Sequence, residues 1–269
     1  MTDSFDIASV LGVRFVPRLI REVLEAGREA LSIAERGLHA EKKSDASPVT
    51  EADRRVESRI RAFLSREVPH ASILGEEEGQ SGSGKNLLFH VDPIDGTRAF
   101  LRGMPTWSIL IGLEDAGVPV FGLAYMPAAD DLFVGWLGGG AYLNGRPLQV
   151  SKVPTLAEAA ISHGGLQQFG RDVDFAVLER LSKASYTARG YADFDGYRQL
   201  LLGRVDAMID PDVKSYDICA AAVLVREAGG RFTDMKGNDT IHGGAGLASN
   251  GLIHDELLEE PDEAVTLYR

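Results

Sequence analysis

Asp92 and Asp95 stand three residues apart in the segment Val91-Asp92-Pro93-Ile94-Asp95-Gly96-Thr97, directly after the apolar run Leu87-Leu88-Phe89. Acids are seldom placed at the end of a buried strand, so this pair asks for a chemical reason. Proline fixes φ near about −65° and stiffens the turn, which lets both carboxylates face one pocket. Gly96 allows a backbone N–H to come close to a ligand, and Thr97 adds a hydroxyl that can hold a water. Two acids, a glycine and a threonine on a rigid turn suit hard cations and a phosphate.

Three other segments put acids beside turns or helix starts: Thr50 to Asp53, Gly75-Glu76-Glu77, and Ser215-Tyr216-Asp217. Singly, each has a plainer reading. Asp53 fits a capping box, a run of glutamates fits a solvated face, and Asp217 fits a first-turn acid facing the helix dipole. Together they form an all-oxygen donor set of the kind Mg²⁺ takes, with waters and substrate phosphate completing its octahedron. The six histidines (39, 70, 90, 163, 242 and 254) show no close pair with zinc-ligand spacing. His90 reads as a packed residue behind the site. A calcium buffer is disfavoured because no D-x-D-x-D-G loop is present.

The elements that must position these groups follow from periodicity. Phe5 to Leu38 reads as helical, with Pro17 marking a break or the start of a second helix, and a further helix opens after Thr50 and stops before Pro69. Ser72 to Leu74 is a strand, and Gly79 to Gly84 a flexible loop. From Leu87 to Val150 the pattern is β, with Asn144-Gly145 as a hairpin turn. Beyond it, strands at 159–162, 185–188 and 207–209 alternate with helices at 174–182, 195–202 and 216–228. The expectation is an α/β (α+β) chain of two parts. Residues 1–150 form an N-terminal half with most of the acids, and residues 151–269 a C-terminal half with the last of them.

Bulk properties narrow the partners. The formal charge of 28 − 40 = −12 disfavours nucleic acid and anionic membranes. It does not disfavour an anionic substrate, because divalent cations reverse the local sign. Cys219 is the only cysteine and sits in the apolar run Ile218 to Ala222, which reads as core. No signal peptide or membrane span is evident, so a cytoplasmic location is expected.

ILGEE (73–77), DPIDGT (92–97) and SYDICAAAVLVREAGG (215–230), with SPVTEAD (47–53) upstream, resemble the signature segments of the inositol monophosphatase family, in the family's order. The likeness spans roughly residues 48–254. It implies a layered α-β-α-β-α sandwich, a homodimer, lithium sensitivity and dependence on two or three Mg²⁺ ions, with Mn²⁺ as a substitute. Carried over by position, the metal ligands are Glu76, Asp92, the Ile94 carbonyl, Asp95 and Asp217. Thr97, hydrogen-bonded to Asp53, is the water-positioning residue, and Glu77 stands behind the ligands. The backbone N–H groups of Gly96 and Thr97 are the phosphate site. One departure is Tyr216, where many members have tryptophan, although some branches have tyrosine. The family's upstream lysine is either Lys42 or Lys43.

The resemblance also bears on the alcohol half of the substrate. Asp210 stands where inositol-specific members place a carboxylate for ring hydroxyls, and Asp193 adds a second charge where those members have small residues. RGYADFDGY (189–197) is similar to the histidinol-phosphate phosphatase branch. Asp193 and Asp210 can pair with the amine and imidazole of L-histidinol phosphate, unless Asp193 only caps its helix. The expected activity is therefore Mg²⁺-dependent hydrolysis of a phosphate monoester, L-histidinol phosphate first. Inositol 1-phosphate, sugar phosphates and nucleotide 3′-phosphates are alternatives. A metal-binding regulatory protein without catalysis is the alternative of another class, and the complete acidic set weighs against it.

Overall fold

The computed structural model describes residues 4–43, 48–170 and 175–259, apart from the side chain of residue 42. Ser47 of the upstream motif and Asp174, the expected start of a helix, lie outside the described residues.

The chain opens with α1 (Ile7–Leu11) and α2 (Phe15–Glu35), followed by β1 (Ala40–Lys42), β2 (Pro48–Thr50) and α3 (Glu51–Glu67). The strands β3 (Ser72–Gly75), β4 (Gly79–Ser81) and β5 (Leu87–Asp95) lead to the short helix α4 (Thr97–Leu101). A meander of β6 (Ser108–Asp115), β7 (Val118–Met126), β8 (Asp131–Trp136), β9 (Gly140–Leu143) and β10 (Arg146–Pro147) comes next. The remainder alternates: β11 (Ala160–His163), α5 (Phe175–Ala184), β12 (Thr187–Arg189), α6 (Asp193–Leu201), β13 (Ala207–Pro211), α7 (Ser215–Glu227), β14 (Arg231–Thr233), β15 (Ala245–Ser249) and α8 (His254–Leu258).

Two sheets result. The larger runs β10-β9-β8-β7-β6-β5-β3-β4, antiparallel except where β3 lies parallel to β5. The smaller runs β12-β11-β13-β15-β14, with β11 parallel to β12 and β13. Helices α2 and α3 cover one face of the larger sheet, α6 and α7 fill the space between the sheets, and α5 packs on the smaller sheet. Alternation of side chains builds the layers. Phe89, Val91, Ile109, Ile111, Phe121 and Leu123 face α2 and α3, whereas Leu110, Ala124 and Met126 face the central helices. Likewise Met208 and Ala248 face inward, and Ile209 and Leu247 face the outer core that α5 and α8 share. This is the five-layer α-β-α-β-α sandwich expected from the sequence.

Helix α7 approaches the larger sheet closely because both surfaces are small. Gly112, Gly122 and Gly135 lie opposite one another on β6, β7 and β8. A Cβ on Gly112 would lie 2.4 Å from the Cys219 sulfur, and one on Gly122 would lie 2.5 Å from the Ala220 carbonyl oxygen. The helix answers with Cys219-Ala220-Ala221-Ala222, all buried. Cys219 is thus a core residue, as its apolar setting predicts.

Most element expectations hold to within a few residues. Pro17 sits in the first turn of α2, where a missing N–H costs nothing. Asn144 and Gly145 both have positive φ in the β9–β10 hairpin. The loop expected over Gly79 to Gly84 is corrected in part, since Gly79–Ser81 is a strand paired with β3. Its composition is loop-like, but Arg61 reaches it from α3, contacting the Gly79 carbonyl and the Ser81 hydroxyl. No helix among the described residues is long and apolar enough to cross a membrane.

Candidate active site

The cleft lies where β3, β5, α4, α6, β13 and α7 end. It encloses about 300 Å³ and is lined by residues that include Glu76, Asp92, Ile94, Asp95, Gly96, Thr97, Asp193, Asp210 and Asp217. Nearly all the residues singled out in the sequence therefore meet at one place. Asp53 and Glu77 stand behind it.

Strand β5 brings Asp92 to the cleft by its pleat. His90 and Asp92 share the face that looks toward α7, and the pairing with β6 is irregular between Asp92 and Asp95, which turns the second acid to the same side. Asp92 Oδ1 accepts from the Ile94 N–H (3.1 Å). Asp95 Oδ2 accepts from the Ser108 hydroxyl (2.9 Å) and the Phe194 N–H (2.8 Å). Asp95 therefore caps α6, and Asp193 does not: no side chain of its own element caps that helix. Asp193 has φ 56° and sends its carboxylate across to Gly96, where a Cβ would stand 3.0 Å from Asp193 Oδ2. Gly96 itself has φ 80°, so glycine is required there for its conformation and for space.

Thr50 and Asp53 form the expected capping box at the start of α3. The other oxygen of Asp53 lies 3.3 Å from the Thr97 hydroxyl, which also stands 3.0 Å from the Ile94 carbonyl. The acid thus caps its helix and reaches the cleft at once. The turn after β3 is held from beneath by Glu57, fully buried, which accepts from the Glu77 N–H (2.7 Å) and the Glu78 N–H (2.9 Å) and pairs with Arg61. A Cβ on Gly75 would collide with Glu57, at 2.2 Å. Lys43 places its ammonium 2.8 Å from Glu76 and 2.6 Å from Glu77, which identifies it among the two lysines left open. Asp217 sits in the first turn of α7, and its Oδ2 accepts from the Lys214 N–H (2.7 Å).

Electrostatics make the cleft a store of unbalanced negative charge. Burial, reinforced by Glu76, Asp95 and Asp217, pushes Asp92 well above the usual carboxylate range. Burial and Asp193 do the same to Asp95. Asp217 is raised to about 7 by burial, with Glu76 adding to it and the Lys214 N–H opposing. Glu77 is raised to about 7 by burial, against its hydrogen bond from Lys43. Asp210 is raised by burial and by the charges of Asp193 and Asp217. Among the described residues, no three histidine, cysteine, aspartate or glutamate side chains form a ready-made cation site. Glu76, Asp92, Asp95 and Asp217 instead each spend an oxygen on a protein donor. Their other oxygens, all hard donors in a buried and repulsive group, fit Mg²⁺.

Sequence reasoning missed Glu57 and Arg61, although their four-residue spacing on the helix that bears Asp53 was a signal. It also missed Tyr197, four residues after Asp193 on α6. Gln167 and Gln168 line the cleft with no signal in their spacing. His90 is buried as expected and pairs with Glu114 at 2.8 Å, which His242 also meets at 2.9 Å.

Comparison with known proteins agrees with this geometry. The model of the inositol monophosphatase family matches residues 14–266. A histidinol-phosphatase of Mycobacterium tuberculosis is 40% identical over 229 residues, covering 82% of this chain and 87% of that one. An inositol-1-monophosphatase of Mesorhizobium japonicum is 32% identical over 255 residues, covering 90% and 93%. Among solved structures, the extragenic suppressor protein suhB of Bartonella henselae superimposes with a TM-score of 0.83 at 30% identity, covering 90% of this chain and 96% of that one. With the fold, the acidic cleft and these likenesses in agreement, the chain belongs to the inositol monophosphatase family.

Proposed function

We propose that this phosphoric monoester hydrolase uses Mg²⁺ and acts on L-histidinol phosphate. The observation that carries the reading is the single cleft in which Glu76, Asp92, Asp95 and Asp217 meet the Gly96–Thr97 turn and the acids Asp193 and Asp210. Glu76, Asp92, the Ile94 carbonyl, Asp95 and Asp217 would hold two or three Mg²⁺ ions, with Mn²⁺ as a substitute. Held by these residues, Mg²⁺ would supply a lowered pKa for a bound water and charge neutralisation at the phosphoryl and leaving oxygens. The Thr97 hydroxyl orients the attacking water, and Asp53, 3.3 Å from it, accepts the hydrogen bond that keeps the hydroxyl aimed. The N–H groups of Gly96 and Thr97 receive phosphate oxygens at the start of α4. Glu77 and Lys43 fix Glu76 from behind. Water attacks phosphorus directly, with inversion and no phosphoenzyme, since no serine, cysteine or histidine stands in the cleft as a nucleophile among the described lining residues.

Asp193 and Asp210 favour a substrate whose alcohol half is cationic. Two carboxylates that burial holds above their usual pKa range, Asp193 with Arg98 opposing and Asp195 adding, and Asp210 with the charges of Asp193 and Asp217 adding, gain most from an ammonium or imidazolium. A polyol such as inositol offers only neutral hydroxyls to the same acids. The proposed solution form is a homodimer, to be checked by light scattering. The substrate reading is tested by phosphate release with Mg²⁺ from a panel of esters. L-Histidinol phosphate should be turned over with the highest kcat/KM; faster hydrolysis of inositol 1-phosphate would reverse the assignment.

A further inference from the structure

Tyr197 is among the largest fully buried side chains, 1% exposed, and its hydroxyl has no hydrogen-bond partner. A buried hydroxyl without a partner weakens a fold, and natural cores rarely keep one. Its surroundings explain why this one is kept. Asp210 on β13 lies opposite Gly246 on β15, and the Tyr197 hydroxyl stands 2.9 Å from the point where a Gly246 Cβ would be. The phenol therefore fills the place of the missing side chain, beside Asp210. Asp210 is hemmed on its other side by Gly164, where a Cβ would lie 2.6 Å from Asp210 Oδ1. Tyr197 also follows Asp193 by about one helical turn on α6, behind the residues that line the cleft. Burial keeps the phenol protonated, with Asp210 reinforcing this, so it remains a donor. The Asp210 carboxylate is the acceptor placed to act on that phenol.

We infer that Tyr197 is the positioning residue for Asp210: its O–H donates to one carboxylate oxygen when substrate engages the other. Gly246 is needed to leave room for the phenol, and Gly164 to leave room for the carboxylate. The inference rests on the reading of Asp210 as a substrate-binding group.

The test compares wild type, Tyr197→Phe, Asp210→Asn and the double variant, with Mg²⁺, on L-histidinol phosphate and on p-nitrophenyl phosphate, which offers Asp210 no cation. Losing a hydrogen bond to a charged group should raise KM for histidinol phosphate about tenfold more than KM for p-nitrophenyl phosphate. The Tyr197→Phe and Asp210→Asn effects should be less than additive. Thermal stability of Tyr197→Phe should be unchanged or higher, because the hydroxyl it removes has no partner; a purely structural hydroxyl would lower it. Equal effects on both substrates, or full additivity, would overturn the inference. If Asp210→Asn is selective and Tyr197→Phe is not, the inference alone fails. If Asp210→Asn shows no selectivity, the reading of Asp210 fails with it.

Discussion

Asp92 is a buried carboxylate surrounded by Glu76, Asp95 and Asp217. Such a group weakens the metal-free fold and is retained for what it binds. Asp92→Asn should lower kcat/KM by about a hundredfold or more, while the melting temperature without Mg²⁺ stays level or rises, as calorimetry on the two proteins would show. Thr97→Ala removes the hydroxyl between Asp53 and the Ile94 carbonyl but no carboxylate. It should reduce kcat by about tenfold to a hundredfold with little change in the Mg²⁺ concentration for half-maximal activity, measured by titrating Mg²⁺ at saturating substrate. At this scale the sequence was legible wherever a motif fixed the backbone, as at Asp92 to Thr97. It was less so where a side chain crosses between elements. From the sequence Asp193 could be a substrate carboxylate or only a helix cap; Asp95, distant in sequence, caps that helix and leaves Asp193 to face Gly96.

Among the elements, α7 decides the height of Asp217 over the cleft, and the glycines beneath it decide the height of α7. Gly122→Ala would drive a methyl into the Ala220 carbonyl, which is backbone and cannot swing aside. The expected cost is about 1–3 kcal/mol, read from urea denaturation, together with weaker activation by Mg²⁺ as Asp217 is displaced. The alternating pattern of β5 to β8 was readable because one face is large and apolar and the other small. Strand β4 was not readable, because Gly79 to Ser81 carries no periodicity and is held by Arg61 from another element.

Across the whole molecule, the acidic cleft couples stability to pH. A carboxylate whose folded pKa is raised binds more protons in the folded state than in the unfolded state, so its contribution falls as pH rises through the folded value. Asp217 and Glu77, both raised to about 7, spread that loss from about pH 4, near their unfolded values, to just above pH 7, with only its last part above about pH 6.5. Buried His254, lowered to about 4 by burial and by Arg231, acts in the opposite direction. Its stabilisation is full above its unfolded pKa of about 6.5 and is lost as pH falls toward 4. Above about pH 6.5 His254 no longer changes its contribution, so between about pH 6.5 and 8 the last part of the cleft's loss is seen by itself. There the melting temperature in EDTA should drop as pH rises, and saturating Mg²⁺ should cancel or reverse the drop, as differential scanning fluorimetry would record. The layered architecture could be expected from the resemblance, but the sharing of α7 by both sheets could not, because it depends on long-range packing. That helix contacts β5 to β9 on one side and β14 and β15 on the other. It behaves as an axle clamped between two plates, with a charge fixed at its tip. Neither plate can slip along the axle without carrying that charge out of register with the acids opposite, so a fault introduced far from the cleft would be felt as poor cation affinity before it was felt as unfolding.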